Sequence, residues 1–259
     1  MKLNCRSVLF MKTFLLTVFS LALITFFTLL TPGVNENGFF KLFVLILTCL
    51  AANFILSNVF KTVTASFVES LIPAFIIFII TDYDSQIYLQ IFAVILSLFI
   101  NYFIKHEGRE MFNDISLALF TVSFFGLKID WWGTNTSFLV ISLIFIFGVF
   151  SVISYKSVLP TVIFFLATFS INIIFTFNLW FAIKQLFVPG FVFFAFYLLV
   201  RNKSILASPL KSRLYPLVVS FLAITTPKLG LFTEPLITSL VLTDLGFLVL
   251  KKIRILEST

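Results

Sequence analysis

Charged residues in this chain fall in short clusters, and the stretches between them are apolar over lengths close to the roughly 20 residues that cross a 30 Å hydrocarbon core. This pattern constrains the fold more than any motif does. Backbone placed in lipid must satisfy its own hydrogen bonds, which leaves helices or a closed barrel, and apolar runs this long are helical. The composition agrees: 60% of residues are hydrophobic and 11% charged, with a mean hydropathy of +1.14. A soluble domain has about 45–50% and about 25%. The reading is one polytopic all-α membrane domain over residues 1–259. The first apolar stretch, Val8 to Leu30, ends at Thr31-Pro32 without a small-residue cleavage site, so it is expected to be a retained span rather than a signal peptide.

The residue inventory excludes several chemistries. Cys5 and Cys49 are the two cysteines and His106 the one histidine, too few for a Cys/His zinc site, bis-His haem or a Cys-ligated iron–sulfur cluster. No metal is expected. A net charge of +7 raises the question of nucleic acid, but Lys and Arg stand at the ends of apolar stretches instead of forming a patch. The partner implied is the membrane, not nucleic acid. The 38 Phe residues are read as lipid-facing surface.

Cutting at charges, Pro and Gly gives ten candidate spans: 8–30, 39–60, 66–81, 86–105, 112–128, 137–155, 158–178, 183–200, 213–227 and 235–250. The fifth and ninth are short, as tilted or broken helices are. With the N terminus inside, 14 of the 18 Lys and Arg fall on the inner side, Arg201 and Arg109 among them, and Lys41, Lys128, Lys184 and Lys228 fall outside. By the positive-inside rule both termini are cytoplasmic and the chain sits in the cell's inner membrane.

Ionisable groups inside hydrocarbon need partners or a cavity. Glu69, Asp114 and Asp244 qualify. Glu69 precedes Pro73, which frees a carbonyl a turn back and can bend the span. Asp114 is expected to cap the fifth span or pair with Arg109 at the cytoplasmic end, away from the midplane. Asp244 lies mid-span with no basic residue within a turn, which implies a bundle-interior partner. Asn53, Asn101 and Asn172 read as interhelical hydrogen-bonding groups. Trp131-Trp132-Gly133 and Trp180 read as an aromatic belt, and His106 as a solvated loop residue. No catalytic triad, phosphate loop or metal-ligand spacing is present.

Several segments in order resemble one family, the membrane subunits B and D of the sodium-pumping NADH:quinone oxidoreductase and the Rnf electron-transport complex, above all their short stand-alone relatives. Ser70–Ile80 resembles the family's third span. Gly108-Arg-Glu-Met-Phe-Asn113, Leu117-Ala-Leu-Phe120 and Trp131-Trp-Gly133 resemble its Gly-(Arg/Lys)-(His/Asn)-x-Phe-Asn-Pro-Ala turn, the helix after it and a Trp-Trp-Gly. Gly190–Leu199, Ser208-Pro209 and Arg213-Leu214 resemble its Phe-Phe-Met-x-Thr-Asp-Pro-x-(Thr/Ser)-Ser-Pro segment with a downstream Arg-Leu, and Leu236–Gly246 its last span.

The resemblance implies two inverted five-span repeats, about 1–130 and 131–259, with spans three and eight, and five and ten, as mates around a central site holding Glu69, Asp114 and Asp244. It implies an electron-transport subunit with redox partner subunits and a flavin held non-covalently. Asn113, Ser208, Thr134 and Thr136 are the cofactor-binding candidates. The chain departs from the pattern in three places. Asn113-Asp114-Ile115 stands for Asn-Pro-Ala, Val200-Arg201-Asn202 for Thr-Asp-Pro, and Gly133-Thr-Asn-Thr136 for the Ser-Gly-Ala-Thr loop that carries covalent FMN, so covalent FMN is not expected. Two alternatives stay open: a small-solute or cation transporter or channel of the same fold, and a structural or biosynthetic-accessory membrane protein without a redox role.

Overall fold

A computed structural model of the chain describes residues 5–31, 36–60, 67–103, 105–106, 109–110, 112–201, 209–228 and 234–252. These residues are helical almost throughout. In chain order come α1 Cys5–Leu29, α2 Glu36–Phe60, α3 Phe67–Ser70, α4 Ile72–Ile80, α5 Ile87–Phe103, α6 Asp114–Ser123, α7 Phe138–Ser154, α8 Val158–Thr176, α9 Leu179–Leu186, α10 Pro189–Phe193, α11 Pro209–Lys228 and α12 Pro235–Lys252. A π-helical turn, Phe194–Leu199, continues α10. Two-residue strands β1 Lys105–His106 and β2 Arg109–Glu110 pair antiparallel between α5 and α6.

Two described stretches, Asn37–Val59 and Val158–Thr176, are long and apolar enough to cross a membrane, and Leu179–Leu186 with Pro189–Leu199 makes a third if the pair, bent by 56°, is one span. Other apolar helices, such as Ile87–Phe103 and Phe138–Ser154, are shorter. Some hydroxyls inside the helices bond their own backbone: Thr25 and Thr28 of α1 donate to the carbonyls of Leu21 and Ile24 at 2.7 and 2.8 Å, so neither adds an unsatisfied group to an apolar interior. Large side chains turned outward, including Phe54, Phe138 and Ile174, are apolar.

Several sequence boundaries are corrected. The stretch read as the third span is helical as α3 and α4 with the single residue Leu71 between them, and Pro73 falls in the first turn of α4, where its missing N–H leaves no bond unmade. The eighth breaks between α9 and α10 and restarts in the same way with Pro189. The fifth has only ten helical residues, because Asn113 caps α6 and the chain turns out after Ser123. The ninth is not short: α11 has 20 residues and carries Pro216 and Pro227.

All nine residues of α4 and all six of the π-helical turn are buried. A helix apolar on every side belongs at the middle of a bundle, and these two do. Around them, α2 packs on α4 and α5, and α5 on α6; in the second half α8 packs on the π-helical turn and α11, and α11 on α12. The halves meet through α1 against α7 and α6 against α12. Gly148 of α7 is where the π-helical turn comes closest: a Cβ there would lie 2.0 Å from Cδ2 of Phe196.

One end of the bundle is closed by the segment after α6. Thr81 and Ile129 form a bridge, and Asp130 and Trp131 both donate backbone N–H to the Ile80 carbonyl at 3.0 and 2.9 Å. Trp131 adopts a left-handed φ of 54°, an uncommon conformation for a bulky residue, and its Cβ and Cγ lie 3.0 Å from the position a Gly190 Cβ would take. Trp131 and Trp132 are half-buried packing groups whose indoles donate to Glu234 and to the Phe78 carbonyl, whereas Trp180 is exposed.

Candidate functional site: a buried polar centre

The polar centre forms where α6 begins. Asn113 is its hub, and every polar group on it is used. Its Oδ1 accepts from the backbone N–H and the hydroxyl of Ser116, both at 3.1 Å, which caps α6; its Nδ2 donates to the Leu198 carbonyl at 2.9 Å; its backbone N–H donates to Oδ2 of Asp244 at 3.0 Å. One residue thus ties together α6, the π-helical turn and α12. An amide suits this position because it both donates and accepts.

Asp114 follows as the first residue of α6, at the positive end of the helix dipole. Its Oδ2 accepts from Arg201 Nη2 at 3.2 Å, Ser97 Oγ at 3.3 Å and Asn101 Nδ2 at 3.4 Å. Arg201 is only 6% exposed and Asp114 3%. Arg201, read from the sequence as a loop cation, lies inside the bundle as a partner of Asp114, whereas the side chain of the expected partner Arg109 lies outside the described residues. The cap assigned to Asp114 is made by its neighbour Asn113. Asp244, buried on α12, accepts from the Tyr215 hydroxyl of α11 at 2.7 Å as well as from Asn113. Two carboxylates therefore flank one helix start, each bound by a different helix.

Glu69 is buried in α3, a turn before Pro73. Of the three amides, Asn101 bonds Asp114 across helices and Asn53 accepts from Tyr102 at 2.8 Å, but Asn172 donates to Thr168 of its own helix and joins nothing. Sequence reasoning missed Arg201, Tyr215 and Ser97. For Arg201 a signal existed: three intramembrane acids demand cationic or hydroxyl partners, and Arg201 directly follows the unbroken apolar run Phe191–Val200.

Of the cofactor candidates, Asn113, Thr134 and Thr136 lie among the described residues. Thr134 is fully buried and its hydroxyl donates to the Trp131 carbonyl at 2.7 Å. Thr136 Oγ1 is buried, Asn113 has no free group, and Ser208 lies outside the described residues. A cleft of about 520 Å³ opens beside the far end of α6, lined by Asp82, Ser123 and Gly126 to Asp130, and neither threonine lines it. No flavin position is assigned. Among the described residues no group of three His, Cys, Asp or Glu is placed to hold a metal.

At the Trp131 end Glu234 stands just before α12, accepting from Trp131 Nε1 at 3.0 Å and from the Leu236 N–H at 3.4 Å. Burial pushes its carboxyl up to about 7, against the opposing pull of the Trp131 bond. Compared with known proteins, the chain matches no family model and no curated protein.

Proposed function

We propose that the chain is an integral membrane subunit of an Rnf/Nqr-like electron-transport assembly, built of ten spans in two inverted five-span repeats with cytoplasmic termini. In this reading it works with redox partner subunits and a flavin held non-covalently. The flavin supplies the electron chemistry, and this chain's residues supply the membrane scaffold around it. One observation carries the reading. Two of the segments that bear the resemblance, Gly108–Asn113 and Gly190–Leu199, meet at the Asn113–Leu198 hydrogen bond although these residues lie 85 apart in the chain. Asp114 and Arg201, where the chain departs from the family pattern, are partners at 3.2 Å, so the acid that stands at 114 faces the base that stands at 201.

The repeat reading is supported by paired features. The third and eighth segments both break and restart on a proline, and the contacts of α2 with α5 and of α5 with α6 recur as those of α8 with α11 and of α11 with α12. Inverted-repeat membrane proteins place their working site where such broken helices meet.

The deciding experiment is the visible absorption spectrum of the purified chain and of the assembly it co-purifies with. Flavin bands that leave with the supernatant after denaturation support the proposal. A colourless protein in a colourless assembly rejects it. The buried groups Glu69, Asp114, Arg201 and Asp244 favour a second reading, a carrier or channel for a small solute or cation. Flux of a charged solute into vesicles holding the colourless protein would establish that reading, and absence of both flavin and flux would leave a structural or accessory role.

A further inference from the structure

The segment between α6 and α7 is tied to the first half through its backbone. Asp130 and Trp131 donate N–H to the Ile80 carbonyl, the Gly133 carbonyl accepts from Thr28 Oγ1 at 3.0 Å, and a Cβ on Gly133 would lie 3.1 Å from the Ile79 Cα. It reaches α10 and α12 through the Trp131 side chain. The Trp131 Cβ and Cγ sit against Gly190, the ring meets Phe193 and Phe194 edge to face at 6.4 and 6.3 Å, and Nε1 donates to Glu234 at 3.0 Å across 103 residues. The end of α4 and the starts of α10 and α12 thus converge on one side chain. A change of its rotamer frees α10 and α12 while the backbone bonds to Ile80 stay made.

Glu234 sets the balance between the two arrangements. Protonated, its Oε1 accepts from Trp131 and from the Leu236 N–H with no charge buried. Ionised, it is held out of water and faces the like charge of Asp130, and these outweigh the bonds from Trp131 and Leu236 that favour the charge. The carboxylate then gains by reaching solvent, which requires Trp131 to leave. Of the other charges on adjoining elements, Asp82 is half-buried, and Lys128, Lys184 and Lys228 are exposed and screened. Pro189–Phe193, residues 229–233 and the first two turns of α12 carry no titratable group.

We propose that Trp131 and Glu234 form a pH-sensitive latch that holds α10 and α12 to the end of α4, closed while Glu234 is protonated and released when it ionises. The proposal does not depend on whether the protein carries electrons. Glu234 holds its proton up to about 7 in the closed arrangement and to about 4.5 once in water, so rising pH favours release, by up to about two orders of magnitude above pH 7.

The test uses full-length protein in detergent, well below its unfolding midpoint, with Trp180→Phe removing the exposed indole. Acrylamide quenching of Trp131 and Trp132 is followed from about pH 5 to about pH 9. Trp132 bonds the Phe78 carbonyl, which does not titrate, so the pH-dependent part belongs to Trp131. Quenching is expected to rise with pH. With Glu234→Gln added, which keeps an accepting oxygen without the charge, it is expected to stay low throughout. Quenching that is flat or that rises as pH falls, an emission shift with no gain in quenching, or a Gln variant that responds like its parent overturns the proposal. If Glu234→Gln fails to accumulate, Glu234→Asp decides, because its carboxylate is too short to reach Trp131. Strong quenching at both ends of the range supports the latch, and the parent's rise with pH overturns it.

Discussion

Replacing Asp244 with Leu should destabilise the bundle through two specific stranded donors. The Tyr215 hydroxyl donates to Asp244 Oδ1 at 2.7 Å and the Asn113 N–H to Oδ2 at 3.0 Å, and all three residues are buried. A buried donor left without a partner costs about 1–3 kcal/mol, so the two together give about 2–6 kcal/mol. Alternative partners available to the unfolded chain within the membrane pull the value toward the lower end. Tyr215→Phe removes one bond and should cost about 1–3 kcal/mol. Adding it to Asp244→Leu should cost less than it does alone, since no hydroxyl remains to be stranded, and the coupling should be about 1–2 kcal/mol. The assay is equilibrium unfolding in mixed micelles, titrated with denaturing detergent and followed by tryptophan fluorescence, for wild type, both single variants and the double. Additivity within about 0.5 kcal/mol would refute the contact, and an Asp244→Leu variant as stable as wild type would refute its placement in the bundle.

Gly148→Val should destabilise by about 1–3 kcal/mol through overpacking, since even a Cβ there would lie within 3 Å of three Phe196 atoms; Gly148→Ala should be milder because alanine favours the helix, and thermal midpoints check both. On a background without Cys5 and Cys49, an impermeant thiol reagent applied from outside should modify Asp84→Cys and spare Lys203→Cys; the opposite labelling would reverse the proposed orientation. Intact mass spectrometry should give the polypeptide mass alone, with Thr134 and Thr136 unmodified, and an added FMN mass lost in Thr136→Val would show the opposite. Glu234 has its carboxyl raised from 4.5 to about 7 in the fold, so the folded state holds its proton more tightly and the stability linked to it is full below about 4.5, falls as pH rises, and is gone above about 7. Glu234→Gln should remove that slope from the pH profile of unfolding.

The helical, apolar character of the fold is legible in the sequence because each run between charge clusters satisfies its backbone only as a helix. Helix breaks are legible only in part. Pro73 and Pro189 mark the restarts of α4 and α10, but neither states that the preceding turn stops. Asn113 followed by Asp114 is an ordinary cap signal, yet the same dipeptide reads equally as the interfacial end of a full span. Its partners come from α5, whose Ser97 and Asn101 reach Asp114 from the last two turns of that helix, and that is a tertiary fact. Arg201 is misread for the same reason: a basic residue ending an apolar run signals a membrane boundary on average, and its burial against Asp114 is again a tertiary fact.

Arg201 and Asp114 also bear on why the centre is charged at all. A buried ion pair is weak evidence for stability, since well-packed apolar residues of similar volume often do as well or better, while breaking the pair from one side is costly. Packing alone therefore gives no reason for the pair, and the explanation lies in what it positions. Arg201 ends the π-helical turn, Asp114 begins α6, and Asn113 between them holds Leu198 and Asp244. An apolar substitute for the pair could slide along either helix with little penalty, whereas a guanidinium facing a carboxylate fixes the register of the two helix ends. In a bundle whose buried side chains are mostly apolar, that register decides which polar groups face one another. The ionic pair is best understood as the element that specifies the centre, and Tyr215 with Asp244 as the element that anchors α11 and α12 to it.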